Sequence, residues 1–413
     1  MSTDEIIIYF SRATIHFIYS FLPVFDEKRI NLSVEGLKNL YRKNKGRPAN
    51  RRGIKPYLDL DLEMGYETGE TYQASLGDLD IMIEPTMRFF PLGSTCCLST
   101  TVSKRNDTLL SLNDIHAILG LVQSKEADPQ SARFIKIEDQ KKSFYELFQH
   151  IIEQLLINVN EKLKVGEKTS NEIREYGILC NKHLTESSEP QTPWVVTVLD
   201  VSDPAVNVFC GTFCNDESPM RAKSTAIRKY EESIAPILFR SVTGADFMLE
   251  PAYIRSAHLE RLSGISNMNV DARLFVTMSR RSILCMCKKQ DDDPAAYFVP
   301  VLLDLCEMTR ARWHTLVIMN KIIDESMKNF RVGKGALSPK ERLQKIINLS
   351  DKFIACLEDP SAYVCSGDAL REIHERLLDT FKIKDMTEVA LKKLDMLERL
   401  FSHGLEMSWA DEH

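Results

Sequence analysis

The sequence predicts an α+β protein in which mixed α/β N-terminal and middle regions precede a C-terminal bundle of long helices. Runs of β-branched and aromatic residues recur through residues 1–293, as is typical of strands. From Val299 to Phe330, by contrast, apolar residues are spaced three and four apart, which indicates a long packed helix. A chain of 413 residues is long enough for two or three domains. We predict domains at 1–185, 186–293 and 294–413.

The N-terminal region is predicted to combine strands with short helices. Its β-branched and aromatic runs predict strands at 6–10, 15–19, 55–63, 79–84, 89–97 and 98–103. Ser111-Leu112-Asn113-Asp114 is a typical helix start and predicts a helix that ends at Gln123. Two further helices are predicted at 33–43 and 143–164 from the spacing of their apolar residues.

The middle region begins after a linker at 185–193, which is rich in Ser, Thr and Pro. Strands are predicted at 194–199 and 206–213, and we expect these two to pair. A helix is predicted at 218–239, with Pro219 at its first turn. Two more strands are predicted at 273–278 and 282–287.

The C-terminal region carries the strongest helical signal. Ten positions from Val299 to Phe330 alternate in steps of three and four, which is the pattern of a helix packed at a shallow angle. Trp313 and Asn320 lie one heptad apart in this seam. We expect the tryptophan to anchor the packing and the asparagine to set the register. Further helices are predicted from the capping box at Ser338 to Leu357, at 370–377 and at 390–405.

Composition restricts the class of protein. A net charge of −6 with 44% hydrophobic and 27% charged residues indicates a globular chain and argues against a general nucleic-acid-binding surface. The ten cysteines stand in apolar contexts without a Cys-x-x-Cys motif, which favours buried thiols in the cytoplasm. The apolar N-terminal run contains Arg12 and His16, so we predict neither a signal peptide nor a membrane span.

Asp78 and Asp80 are the sharpest catalytic candidates. If residues from Asp78 onward were strand, both carboxylates would share one face, as in nucleotidyltransferases that hold magnesium against a triphosphate. A Gly-Ser or Gly-Gly phosphate-gripping turn is not found upstream. An exposed acidic strand face is therefore the favoured interpretation, and a metal-dependent nucleotidyltransferase-like or nuclease-like enzyme is the alternative.

A basic loop is the best candidate for a binding surface. It could contact phosphate or an acidic partner, although it has no interleaved aromatic residues of the kind that stack on bases. Its basic residues are Arg42, Lys43, Lys45, Arg47, Arg51, Arg52 and Lys55.

No other motif predicts a cofactor or metal site. Gly333-Lys334-Gly335 lacks the spacing of a phosphate-binding loop, and His374-Glu375 is not followed by a second histidine at 378. We therefore predict no resident cofactor and no metal ligands.

The segment Phe353–Tyr363 and the helices that follow it to Phe401 resemble the soluble part of CorA-type magnesium transporters. In those proteins an α/β region and a long helix precede the membrane helices, and the last two thirds of this sequence have a similar order of elements. The resemblance implies a shared helical scaffold. It implies no channel function, because the membrane helices and the Gly-Met-Asn loop of the transporters are missing from this sequence.

The resulting functional hypothesis is a non-catalytic scaffold or regulatory subunit. It would bind other proteins through its helical surfaces in an intracellular bacterial assembly, such as a defence or signalling system. A nucleic-acid-binding accessory protein that uses the Arg42–Lys55 loop is the less favoured alternative.

Overall fold

A computed structural model of the chain describes residues 9–21, 65–90, 93–106, 108–123, 135–137, 140–142, 147, 150–152, 154–155, 193–201, 274–278, 282–288, 294–332 and 368–411. In these residues nine strands form one mixed sheet. The strands are β1 (Tyr9–Phe21), β2 (Gly65–Thr68), β3 (Tyr72–Leu76), β4 (Leu79–Phe90), β5 (Gly93–Lys104), β6 (Leu110–Ser111), β9 (Trp194–Val201), β10 (Leu274–Met278) and β11 (Ser282–Lys288). Their principal order in the sheet is β10-β11-β9-β1-β5-β4-β2, with β3 also paired to β4 and β6 to the start of β1. A separate two-stranded ribbon joins β7 (Ile135–Ile137) to β8 (Gln140–Lys142).

The first strand is longer than the sequence predicts. Where two strands were predicted at 6–10 and 15–19, the chain forms one continuous strand from Tyr9 to Phe21. The polar residues between the two runs look like a break in the sequence. In the structure a register shift between Phe10 and Arg12 accommodates them, so that pairing with β9 continues on both sides of the irregularity. The predicted break is therefore wrong.

The hairpin of β4 and β5 also differs from the prediction. The strands predicted at 79–84, 89–97 and 98–103 are in fact two strands of twelve residues each, Leu79–Phe90 and Gly93–Lys104. Pro85 lies inside β4, although proline cannot donate a ladder hydrogen bond. Here it is accommodated where the neighbouring edge is interrupted between Thr68 and Tyr72. Its carbonyl accepts a hydrogen bond from the Gly69 amide at 3.0 Å.

Gly69 is needed for this close approach. A Cβ atom at that position would lie 2.8 Å from Cγ of Pro85 and 3.0 Å from Cδ2 of Leu155. The interrupted edge and the proline in β4 therefore depend on a residue without a side chain.

Strands from the predicted middle region complete the sheet. The structure confirms the strands predicted at 194–199, 273–278 and 282–287 with small changes in their ends. β9 runs antiparallel to β1 and parallel to β11. Both sides of β9 are thus occupied, so the predicted pairing of 194–199 with 206–213 is wrong. The boundary predicted at 185/186 falls between strands of one sheet.

The two faces of the sheet bury two apolar clusters. One contains alternate residues of β1, such as Ile15 and Phe17, with Ile115 and Leu119 of α1 (Leu112–Gln123). The helix predicted from Ser111 is confirmed, and the Ser111 amide donates to the Asp114 carboxylate at 2.7 Å as an N-terminal cap. The opposite face packs against the C-terminal helices.

The described C-terminal helices are α2 (Pro294–Val332), α3 (Asp368–Thr380) and α4 (Ile383–Asp411). α2 packs on β1 and β5, and also contacts α3 and α4. The helix predicted between Ser338 and Leu357 lies outside the described residues, so the complete bundle stays a prediction. In the described part of the chain, none of the helices combines the length and the apolar character needed to cross a bilayer.

The turn between α3 and α4 contains a lysine in the left-handed region. Lys382 has a φ of 53°, and its amide donates to the Asp379 carbonyl at 3.0 Å. Left-handed backbone is unfavourable for a residue with a Cβ atom but not for glycine.

We therefore expect Lys382→Gly to raise the free energy of unfolding by about 0.5–1 kcal/mol. Lys392→Gly, at an exposed position inside α4, is the matched control and should lower it by about 1 kcal/mol. Urea denaturation measures both changes. Equal destabilisation by the two glycines would contradict the strain assigned to position 382.

Candidate functional site

Asp78 and Asp80 occupy different elements. Asp78 lies with Gly77 in the two-residue turn between β3 and β4, whereas Asp80 lies within β4. The Asp78 carboxylate is 3.8 Å from Nζ of Lys104, and the Asp80 carboxylate accepts from Nε of Arg105 at 2.8 Å. Each acid thus faces a basic side chain at the end of β5 and its following turn. Among the described residues, no group of three or more His, Cys, Asp or Glu side chains is placed to hold a metal ion.

The basic loop lies outside the residues that the structure describes. Its basic residues are Arg42, Lys43, Lys45, Arg47, Arg51, Arg52 and Lys55. Binding of nucleic acid or of an acidic protein by this loop stays a prediction.

The first half of α2 contains a buried polar stripe that the sequence interpretation missed. Arg88 of β4 is 2% exposed, and its guanidinium pairs with Asp304 and, at 3.7 Å, with Glu307. The Glu307 carboxylate, on a residue that is 1% exposed, also accepts from the Thr95 hydroxyl at 3.0 Å. These contacts join α2 to the neighbouring antiparallel strands β4 and β5. Buried charges persist in a protein when they are paired in this way.

The stripe continues along α2 to His314. Nδ1 of His314 lies 3.0 Å from the hydroxyl of Ser20 in β1, and both residues are fully buried. Asp304, Glu307, Ala311 and His314 step by three, four and three, so they share one side of the helix. Three of these four residues are polar, and they lie beside apolar residues of α2 that also pack against the sheet, so the polar pattern was hidden beside the stronger apolar seam.

Ser20 and His314 have the separation of a nucleophile and its base, but not the surroundings that catalysis requires. Burial, with a smaller contribution from the Arg310 charge, lowers the pKa of His314 from 6.5 to about 3. General bases work best when their pKa lies near the pH of the reaction. A neutral, fully buried imidazole beside a fully buried hydroxyl is a structural contact between α2 and β1.

The lowered pKa of His314 makes the fold sensitive to acid. Between about pH 6.5 and pH 3 the unfolded state binds a proton that the folded state does not bind, so stability falls as the pH falls. We expect this residue to contribute a slope of up to about 1.4 kcal/mol per pH unit in that window. Urea denaturation from pH 7 to pH 4 measures the slope. His314→Gln, which cannot titrate, should show a smaller slope, and an unchanged slope would contradict the assignment.

Trp313 and Asn320, the two predicted seam residues, belong to α2 and contact the α3–α4 turn and the start of α4. The Trp313 ring centroid is 6.2 Å from that of Phe381, and the Arg310 guanidinium lies 4.2 Å from the Trp313 centroid. Nδ2 of Asn320 donates to the carbonyls of Leu316 at 3.0 Å and Met386 at 3.5 Å. Both residues thus make these contacts within one chain.

The described cysteines are buried thiols. Cys96 and Cys97 lie in β5, Cys285 in β11 and Cys306 in α2, and none of the four is in a disulfide. Burial raises the pKa of Cys285 to about 12, and it also raises the pKa of Cys96 and Cys306. Thiols with raised pKa values are poor nucleophiles. These cysteines act as small apolar residues of the core.

The outer surface of α4 is the most unusual exposed feature among the described residues. In the described part of the chain four large hydrophobic side chains are exposed, and three of them, Val389, Leu391 and Met396, belong to α4. The fourth is Leu109, between β5 and β6. We call the exposed residues from Glu388 to Arg399 the outer face of α4. Its apolar members could have been recognised from the sequence, because the inward positions Ala390, Leu394 and Leu397 already define the buried side.

No family model, no curated protein and no solved structure matches the chain.

Proposed function

We propose that the chain is a non-catalytic interaction subunit that binds another macromolecule through the outer face of α4. The observation that carries this proposal is the pair of exposed apolar side chains Val389 and Met396, which are seven residues apart and therefore lie on the same side of α4; Leu391 is exposed at the other margin of the outer face. Single exposed hydrophobic residues are ordinary, but adjacent ones are typical of interaction sites.

The attachment of α4 to α2 supports this role. Lys393 of α4 pairs with Asp324 of α2 at 2.8 Å, and α2 is joined to the sheet by its buried polar stripe. A rigid helix presents a binding surface at a low entropic cost, because its side chains are already positioned. The apolar residues of α4 are thus held on a preorganised support.

An intracellular assembly is the setting that we favour, of the kind found in bacterial defence and signalling systems. The four buried thiols support a reducing compartment. The polar contacts between α2 and the sheet support a structural use of the buried ionisable groups rather than a catalytic one.

The double substitution Leu391→Ser with Met396→Ser tests the proposal. Stability should change by no more than about 0.5 kcal/mol at each exposed site. Recovery of proteins that co-purify with the tagged full-length chain from its own cells should fall sharply, as measured by quantitative mass spectrometry. Leu109→Ser, at an equally exposed leucine away from α4, is the control. Loss of the same partners in both variants, or in neither, would contradict a binding role of the outer face.

A further inference from the structure

The outer face of α4 contains a charged stripe with a particular order. Glu388, Lys392, Asp395 and Arg399 follow one another in steps of four, three and four, so they lie along one side of the helix. Their side chains are 66%, 73%, 60% and 79% exposed respectively. Within one chain Glu388 pairs with Lys392 at 2.6 Å and Asp395 with Arg399 at 3.0 Å.

The stripe is complementary to itself when it is reversed. If two copies of α4 lie antiparallel about a point between Lys393 and Leu394, Glu388 of one copy faces Arg399 of the other. Lys392 then faces Asp395, and the same two pairs recur by symmetry. All four contacts join opposite charges, and two-fold interfaces of this kind place the same surface patch on both subunits.

Apolar residues border the stripe on both sides. Leu391 lies along one edge, whereas Val389 and Met396 lie along the other, because residues seven apart differ by only about 20° around a helix and residues five apart by about 140°. In the antiparallel pairing Met396 of one copy lies beside Val389 of the other, twice by symmetry, and the two copies of Leu391 share the opposite edge. Leu391 is 41% exposed and Met396 is 50% exposed, so each has apolar surface to bury. The charges would set the orientation, and the burial of apolar surface would supply the attraction.

We infer that the outer face of α4 binds a second copy of this chain through an antiparallel α4–α4 contact. The inference rests on the proposed function, because it names the partner of the same surface. A nucleic acid does not fit this stripe, since two of its four charges are acidic and would oppose phosphate. A parallel contact does not fit either, because in register it would place like charges opposite each other.

The contact is weak and depends on charge. Exposed ion pairs contribute little individually, and three helical turns form a small interface. Association of the pure full-length chain, measured by sedimentation equilibrium at rising concentration, should therefore be detectable at low salt. It should weaken when salt rises from about 0.1 M to about 1 M, because the screening length falls from about 10 Å to about 3 Å.

Two charge variants test the inference decisively. An acidic variant combines Lys392→Glu with Arg399→Glu, and a basic variant combines Glu388→Lys with Asp395→Lys. Each variant opposes like charges in the antiparallel pair and should self-associate at least about tenfold more weakly than the wild type. An equimolar mixture restores all four attractive contacts and should form the heterodimer. Thermal melting of each variant checks that the chain stays folded.

The outcomes separate this inference from the proposed function. A wild type that stays monomeric at all concentrations, or two variants that dimerise as well as the wild type, would overturn the α4–α4 contact. A mixture that fails to associate although the wild type dimerises would overturn it as well. The proposed function would fail separately, if the serine substitutions left every co-purified partner in place.

Discussion

Replacing Arg88 with methionine is expected to lower the free energy of unfolding by about 3–5 kcal/mol. The substitution removes the guanidinium that faces the carboxylates of Asp304 and Glu307, while Glu307 stays 1% exposed. Removing one member of a buried ion pair is costly, because the opposite charge loses its compensation but does not regain water. Urea denaturation at neutral pH measures the loss.

An exposed ion pair supplies the control. Arg105 and Asp80 lie 2.8 Å apart but are about half exposed, so Arg105→Met should cost less than about 1 kcal/mol. Replacing Arg88, Asp304 and Glu307 together with Met, Leu and Met should recover much of the loss, because an apolar group of similar volume has no charge to desolvate. Equal losses in the two single variants would contradict the structural role of the buried stripe.

Trp313→Ala is expected to lower the free energy of unfolding by about 3 kcal/mol, at the lower end of the range for tryptophan truncation. Trp313 is only half-buried, but its ring contacts Phe381 in the α3–α4 turn and lies under the Arg310 guanidinium. Trp313→Phe retains an aromatic ring and should lose less.

The mass of the protein distinguishes two interpretations of the seam. If the seam packed between chains, Trp313→Ala would lower the mass measured by light scattering. The observed contacts of Trp313 and Asn320 are within one chain, so stability should fall while the mass stays that of the wild type. An unchanged melting temperature would show that the seam is not a packed interface.

Local patterns predicted the local structure well. The cap at Ser111, the strand at Trp194 and the long helix to Val332 depend on residues that are close in sequence, and each is found in the structure. The predicted ends within β1 and β4 were wrong because pairing with the neighbouring strands continues on both sides of each irregularity. A bulge near Arg12 and a gap opposite Pro85 are properties of neighbouring strands, which the local sequence does not contain.

The buried polar stripe could not be predicted for the same reason. Arg88 and Asp304 are 216 positions apart, and Ser20 and His314 are 294 positions apart. No sequence spacing connects residues so distant, since only the order of strands in the sheet brings them together. The outer face of α4 is different, because a helical projection of one segment contains all of its members.

The role of α4 as the binding surface is tested most directly by photo-crosslinking. A photoreactive phenylalanine analogue is placed at Met396 or, as a control, at Leu109, and the full-length chain is irradiated in its own cells. The proposed function predicts a defined crosslinked product from position 396, which mass spectrometry assigns to one partner, and no corresponding product from position 109. Absence of a product at 396, or the same products from both positions, would contradict a binding role for the outer face of α4.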